Sequence, residues 1–192
     1  MLPISLIVGL GNFGSPYIGT RHNIGEMLLQ SIAKNFGSSM CIEKKFIGFV
    51  GYFFHQQHKI TLLYPKTYIN NSGLAVSKIT KFYKFEPRKI LVIHDDIDLK
   101  CGDIRLKKFG GHGGHNGLRD IINRLGTKNF YRLRIGIGHP GSHSQVFNYV
   151  LSKPSTIDKF KIDDAISRSI LYIKDIIEGN HQYVMNRLHS RV

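Results

Sequence analysis

The sequence predicts a single-domain α/β fold, layered around a mixed sheet. Three observations carry that expectation. Short apolar runs of the buried-strand type alternate with segments whose apolar residues recur at helical spacing. The chain has 192 residues, which fits one domain with a real core, whereas two domains would each be small, so 1–192 reads as one unit. No internal repeat, low-complexity tract or linker-like segment interrupts it.

The elements follow in order. Ile4 to Leu10 is an apolar run ended by glycines, the pattern of a buried strand. From Asn23 to Phe36, residues Ile24, Leu28, Ile32 and Phe36 recur every four positions and Gly37 supplies the stop, so this is an amphipathic helix. Phe46 to His55 and Ile60 to Tyr64 read as strands joined by a polar turn at Gln56-Gln57-His58. Ser72 can cap a helix running through Val76, Ile79 and Phe82 to Phe85, closed by Pro87. Ile90 to Ile93 is a short strand of the buried type. Ile104 to Lys107 and Arg132 to Ile137 are further strands, separated by a glycine-rich loop and a helix from Asn116 to Leu125. A last long helix, Asp158 to Glu178, carries Ile162, Ile166, Ile170, Ile173 and Ile177 on one stripe.

Charge narrows the function. Lys plus Arg number 27 against 13 Asp plus Glu, a net +14 with a pI near 9.9. Such an excess attracts a polyanion, because each phosphate contact releases condensed counterions. The plain alternative is a solvated basic surface that serves solubility. The basic residues recur along the whole chain, which favours a folded basic face over a disordered arm or a membrane-tethering patch. No apolar run approaches the roughly 18–20 residues that span a bilayer. Met1-Leu2-Pro3-Ile4-Ser5 lacks the basic stretch and long apolar run of a signal peptide. Cys41 and Cys101 stand alone, which suits a reducing cytoplasm.

Polar clusters sit where strands end: Gly9-Leu10-Gly11-Asn12 after the first, His94-Asp95-Asp96 after the central one, and Tyr68-Ile69-Asn70-Asn71 soon after another. Ligands of open α/β sheets bind at the carboxyl ends of strands, so these clusters can share one crevice. Gly9-Leu10-Gly11-Asn12-Phe13-Gly14 matches G-x-G-x-x-G, but Pro16 interrupts the expected helix start and no acid follows about 20 residues on. A tight loop that lets backbone and Asn12 approach a substrate explains the glycines better. There is no G-x-S-x-G elbow for a serine hydrolase. His94, Asp95, Asp96, Asp98, His112 and His115 cluster in sequence but match neither H-E-x-x-H nor a calcium loop.

A histidine and a carboxylate without a protein nucleophile remain. A neutral imidazole can deprotonate water near neutral pH, and a carboxylate on its far nitrogen fixes the tautomer. His22 at a loop-to-helix junction and Asp95 at a strand end could both reach the crevice, where Asn12, Asn70 and Asn116 could donate to an oxyanion. Each has a bland reading as well: Asn23 or Ser72 as a helix cap, Asp98 as a turn residue, His94 as a satisfied core histidine.

Six blocks then make a resemblance visible: I-V-G-L-G-N at Ile7 to Asn12, T-R-H-N-I-G at Thr20 to Gly25, P-K-T-Y-I-N-N-S-G at Pro65 to Gly73, L-V-I-H-D-D-I-D-L at Leu91 to Leu99, G-G-H-G-G-H-N-G-L-R-D at Gly110 to Asp120, and Y-R-L-R-I-G-I-G-H-P-G at Tyr131 to Gly141. Over nearly its whole length the chain resembles bacterial-type peptidyl-tRNA hydrolases. The resemblance implies a monomer with one mixed, twisted sheet flanked by helices, needing no metal or cofactor. It implies hydrolysis of the ester between a peptidyl group and the terminal ribose of tRNA, which recycles tRNA from prematurely released peptidyl-tRNA. It places the catalytic base on His22, its orienting carboxylate on Asp95, and site asparagines on Asn12, Asn70 and Asn116, with Tyr17 beside the substrate. Contacts to the tRNA acceptor stem, above its CCA end, fall on Arg105, Lys107, Arg119 and Arg134, and a mobile cover on Gly138 to Val150. Phe13, Ile69 and Lys100-Cys101 depart from the family's usual residues, which bears on loop rigidity and the apolar wall. A rival class, a non-catalytic RNA-binding factor on the same scaffold, would bind tRNA without cleaving the ester.

Overall fold

A computed structural model describes residues 3–189; Met1, Leu2 and residues 190–192 lie outside the described residues, and with them part of the N-terminal signal-peptide reading. Seven strands, β1 (Leu6–Gly9), β2 (Cys41–Glu43), β3 (Gly48–His55), β4 (His58–Pro65), β5 (Ile90–Asp96), β6 (Ile104–Lys108) and β7 (Tyr131–Gly136), form one sheet in the order β2-β3-β4-β1-β5-β7-β6. The central strands β4, β1, β5 and β7 run parallel, while β2, β3 and β6 pair antiparallel with their neighbours. The expected single-domain mixed sheet flanked by helices is therefore present.

Six helices cover the sheet: α1 (Ile24–Asn35), α2 (Ser72–Tyr83), α3 (Asn116–Leu125), α4 (Val146–Val150), α5 (Thr156–Glu178) and α6 (His181–His189). Because successive side chains of a strand point to opposite faces, β1 feeds two cores. Ile7 packs with Leu28, Ile32, Ile173 and Ile177 from α1 and α5. Leu6 and Val8 pack with Val76, Ile79, Leu118 and Ile121 from α2 and α3. Burial on both faces is why the central strands read as continuous apolar runs.

Several boundaries differ from the sequence expectation. Ser72 does not cap α2: it is the first helical residue, and its hydroxyl donates to the Ile69 carbonyl at 2.8 Å. The helix ends at Tyr83 and not at Phe85, because Lys84 takes the left-handed conformation and the Phe85 amide reaches back to the Thr80 carbonyl at 3.0 Å. β5 continues beyond Ile93 through His94 and Asp95, held by its register with β7 (Asp95 opposite Ile135, Asp96 opposite Gly136). The strand expected from Phe46 starts only at Gly48, after a 3-10 turn over Lys44–Phe46 and a left-handed Ile47. β2, α4 and α6 had no counterpart in the sequence expectation. Among the described residues, no helix is long and apolar enough to cross a membrane.

Candidate active site

The carboxyl ends of β1, β4 and β5 open into a cleft of about 630 Å³ that Asn12, Tyr17, His22, Asn70, Asp95 and Asn116 all line. The strand-end clusters thus converge, as expected for an open parallel sheet.

Asn12 is the most firmly fixed of them. Its amide donates to Asn23 Oδ1 (2.9 Å), and its carbonyl accepts from Asn23 Nδ2 (2.9 Å) and from the Tyr64 hydroxyl (3.0 Å). Its own Oδ1 accepts from the Ile69 amide at 2.7 Å. The side-chain oxygen is thereby committed, and Nδ2, a donor, is the group left for the cleft. Gly11 is needed for this closeness, since a Cβ there would lie 3.0 Å from Asn23 Cγ. Asn23 makes no cap bond for α1; it clamps the neighbouring loop instead, a role its position before a helix did not reveal.

His22 sits in a 3-10 turn over Arg21–Asn23 that leads into α1. The helix start is pressed onto the loop after β1: the Glu26 amide donates to the Leu10 carbonyl at 3.0 Å, and a Cβ on Gly25 would fall 2.6 Å from the Leu10 nitrogen. That approach brings the imidazole to the end of β5, where Nδ1 donates to Asp95 Oδ1 (2.8 Å) and Oδ2 (2.9 Å). Both residues are buried, and Nε2 is the nitrogen left for the cleft. Burial pulls the His22 pKa down, but the Asp95 charge and hydrogen bond outweigh it and leave the value above the ordinary 6.5. Burial likewise opposes the Asp95 charge, yet His22 and His115 together hold this carboxyl far below the usual range.

His115 is the residue whose role sequence reasoning left open. It lies at the N-cap of α3, where Nδ1 accepts from the Leu118 amide (3.2 Å) and Nε2 meets Asp95 Oδ1 (3.1 Å). With Nδ1 accepting, the ring proton belongs on Nε2, aimed at the carboxylate. The signals for it were its place in the cluster from His94 to His115 and directly before a predicted helix start. His94 is not a fully satisfied core histidine. Its Nδ1 donates to the Asp95 carbonyl (2.7 Å), but among the described residues its buried Nε2 has no partner, and burial holds its pKa well below normal.

The remaining positions are looser. Asn70 is exposed at the cleft edge, and Asn116, the first residue of α3, accepts from Arg119 Nη1 at 3.0 Å. Tyr17 meets the Tyr68 ring edge-on at 6.2 Å. Residues 138–150 border the cleft through His139, Val146, Phe147 and Val150. The four basic residues line two hollows that adjoin at the Asp96–Arg134 pair. Arg119 lines the cleft, whereas Arg105, Lys107 and Arg134 line a second groove of about 660 Å³ against α6. There Arg134 is paired with Asp96 at 2.6 Å and Arg105 donates to the Leu188 carbonyl at 2.9 Å, while Lys107 is exposed.

His22, Asp95 and His115 bring one ligand-type atom each within 4.8 Å of one another, a grouping that could in principle hold a metal ion. The nitrogen-to-oxygen spacings of 2.8 and 3.1 Å fit shared protons better. A tetrahedral ion with ligands near 2.1 Å spreads its donor atoms roughly 3.4 Å apart.

An imidazole backed by a buried carboxylate, beside the Asn12 amide at the carboxyl edge of an α/β sheet, is an arrangement suited to hydrolysis by an activated water. The comparisons with known proteins specify the reaction. The family model for peptidyl-tRNA hydrolase matches residues 6–192. Over 191 residues the chain is 50% identical to the peptidyl-tRNA hydrolase of Francisella tularensis subsp. novicida, covering 100% of both chains. It is also 50% identical to that of a Marinomonas species, covering 99% of this chain and 98% of the relative. The crystal structure of peptidyl-tRNA hydrolase from Acinetobacter baumannii matches with a TM-score of 0.94 at 44% identity, over 97% of this chain and 95% of that one. The chain belongs to the peptidyl-tRNA hydrolase family, and its activity is hydrolysis of peptidyl-tRNA.

Proposed function

We propose that His22 is the base of this hydrolysis and that the chain, 1–192, works as one catalytic unit. His22 Nε2 takes a proton from water, and the resulting hydroxide attacks the ester carbonyl between the peptide and the 3′-terminal ribose. Asp95 holds the imidazole in the productive tautomer and stabilises the imidazolium. The Asn12 amide, with Asn116 nearby, stabilises the oxyanion, and Asn70 and Tyr17 seat the peptide side. The imidazolium returns its proton as the 3′-hydroxyl of tRNA leaves, freeing the tRNA for reuse. The observation that carries this reading is the two-point contact of His22 Nδ1 with Asp95, which commits one ring nitrogen and leaves the other for the cleft.

The finer statements about substrate and setting belong to the same reading. Arg105, Lys107, Arg119 and Arg134 follow the acceptor stem above a CCA end that enters the cleft. A site that hydrogen-bonds peptide amides would leave a free aminoacyl ammonium poorly paired, so the substrate is N-blocked. Net +14 opposes self-association, supporting a monomer. The free thiols of Cys41 and Cys101 support a cytoplasmic setting. The hydrogen-bond spacings around Asp95 support catalysis by shared protons without a metal.

One assay tests the base, the N-blocked substrate and the metal-free chemistry: hydrolysis of N-acetyl-aminoacyl-tRNA and of free aminoacyl-tRNA, with and without EDTA. His22→Ala should lower turnover by about 10²–10⁴-fold with an unchanged circular dichroism spectrum. The acylated substrate should be preferred, and EDTA should have no effect. Near-normal activity of His22→Ala would remove the base assignment, and loss of wild-type activity with EDTA would restore the metal reading of His22, Asp95 and His115.

A further inference from the structure

Away from the cleft, the sheet face that carries α2 is left open at β3. Val50 packs into the core beneath α2, and Tyr52 and Phe54 continue the same alternation outward, 55% and 64% exposed. Phe82 and Tyr83, at the end of α2, lie beside them at 59% and 39%. Lysines are threaded between these rings. Lys59 Nζ lies 4.1 Å from the Tyr52 centroid and 5.9 Å from that of Tyr83, bridging strand and helix. Lys45 Nζ lies 4.5 Å from Phe82 and 4.8 Å from the buried Phe46. Phe82 and Tyr83 meet edge-on at 4.9 Å, and Tyr52 and Phe54 at 6.2 Å. Among the described residues, neither Lys45 nor Lys59 has an ion-pair partner. Lys44, Lys81 and Lys84, all exposed, add further positive charge.

We propose that this aromatic and lysine strip is a second RNA-binding surface, one that takes an unpaired single strand by stacking bases on Tyr52, Phe54 and Phe82 while Lys45 and Lys59 neutralise phosphates. Alternation of flat rings and unpaired cations is what sequence-tolerant single-strand binding uses. A second copy of the chain fits poorly, because a two-fold contact through this strip would set lysines against lysines on a molecule already at +14. A membrane surface fits less well too, since the rings are carried by a strand and a helix end and not by an amphipathic helix with an insertable apolar face. The strip is separate from the site that handles the acceptor end. α2 starts at the cleft and is 12 residues long, so its far end is about 18 Å away. β3 and β6 are five strand spacings apart in the sheet order, roughly 24 Å. A single strand held on the strip would therefore leave the cleft free for substrate.

The test is fluorescence anisotropy with a 5′-labelled 15-nucleotide oligouridylate at several salt concentrations. Tyr52→Ala/Phe82→Ala should weaken binding by about tenfold or more. Lys45→Ala/Lys59→Ala should flatten the plot of log affinity against log salt by about 1.4, since each of two neutralised phosphates accounts for about 0.7. Both variants should hydrolyse N-acetyl-aminoacyl-tRNA at the wild-type rate. If the ring variant loses its fold by circular dichroism, the lysine pair decides alone. Wild-type oligonucleotide affinity and salt slope in the folded variants would overturn the proposal. So would variants that keep RNA binding but lose sedimentation with phosphatidylserine vesicles, or a wild-type dimer that the variants dissociate.

Discussion

Asp95 serves two histidines at once, and that sharing decides how the site titrates. The His22 pKa is raised above 6.5, so whatever stability its protonated form contributes is full below 6.5 and is lost as pH climbs through the folded value. The Asp95 pKa is depressed below 3.8, so its contribution is full above 3.8 and is lost as pH falls toward the folded value. The pair is therefore most stabilising between these limits, while the proposed general-base role needs the deprotonated His22 and predicts a rate that rises with pH above 6.5. Asp95→Asn removes the charge that outweighs burial. The inflection in kcat/KM should move to lower pH as the plateau falls by about 10²-fold or more, read from a pH–rate profile. An inflection left in place would mean that another group titrates. His22 and Asp95 were legible in the sequence as a histidine and a carboxylate that topology could join. His115 was not, because its role depends on a hydrogen bond to the Leu118 amide that exists only once α3 has formed. Asn23 was read as a cap for the same kind of reason: its partner, Asn12, is close only after β1 and α1 have packed.

At the scale of elements, His22 is placed by a close approach between two glycines. A Cβ on Gly9 would lie 2.5 Å from the Gly25 carbonyl oxygen, and one on Gly25 would lie 2.7 Å from the Leu10 carbonyl oxygen. Backbone cannot yield as a side chain tip can, so Gly25→Ala must push the start of α1 off β1. The expected result is a lower melting temperature together with a fall in kcat larger than the stability loss explains. A crystal structure should show the hydrogen bonds between His22 and Asp95 lengthened. Unchanged kcat would show that the turn adjusts on its own. The long elements were legible because their periodicity spans several turns or a full buried strand, as α1, α3 and α5 show. β2, with three exposed residues, and α4, with five residues, are too short to carry a period. α6 has one, but only Val184 and Leu188 of its apolar side chains are buried, four residues apart.

For the molecule as a whole, the positive charge is distributed between separate surfaces. Arg134 is already paired with Asp96, whereas Lys107 is exposed in the same groove, so the two differ in how many counterions they can release. Lys107→Ala should raise KM for N-acetyl-aminoacyl-tRNA and leave kcat unchanged. It should also flatten the salt dependence of kcat/KM by about one, because one phosphate fewer is neutralised. An unchanged salt slope would place Lys107 outside the RNA-binding face. The overall +14 was plain from composition, but its division between cleft, groove and strip follows from sheet order, which composition does not contain.

Arg21, the residue just before the base, is buried. It donates to Ser152 Oγ at 2.8 Å and to the Lys153 carbonyl at 2.9 Å, pairs with Asp158 at 3.2 Å, and lies 4.2 Å from the centre of the Tyr149 ring. The segment it grips continues α4, which forms the wall of the cleft at Val146, Phe147 and Val150. Wall and imidazole are therefore tied together: displacing the wall would disturb the contacts of Arg21, the chain neighbour of His22. The coupling is reciprocal, because any free energy a substrate gains by settling the wall also settles the turn that aims the imidazole.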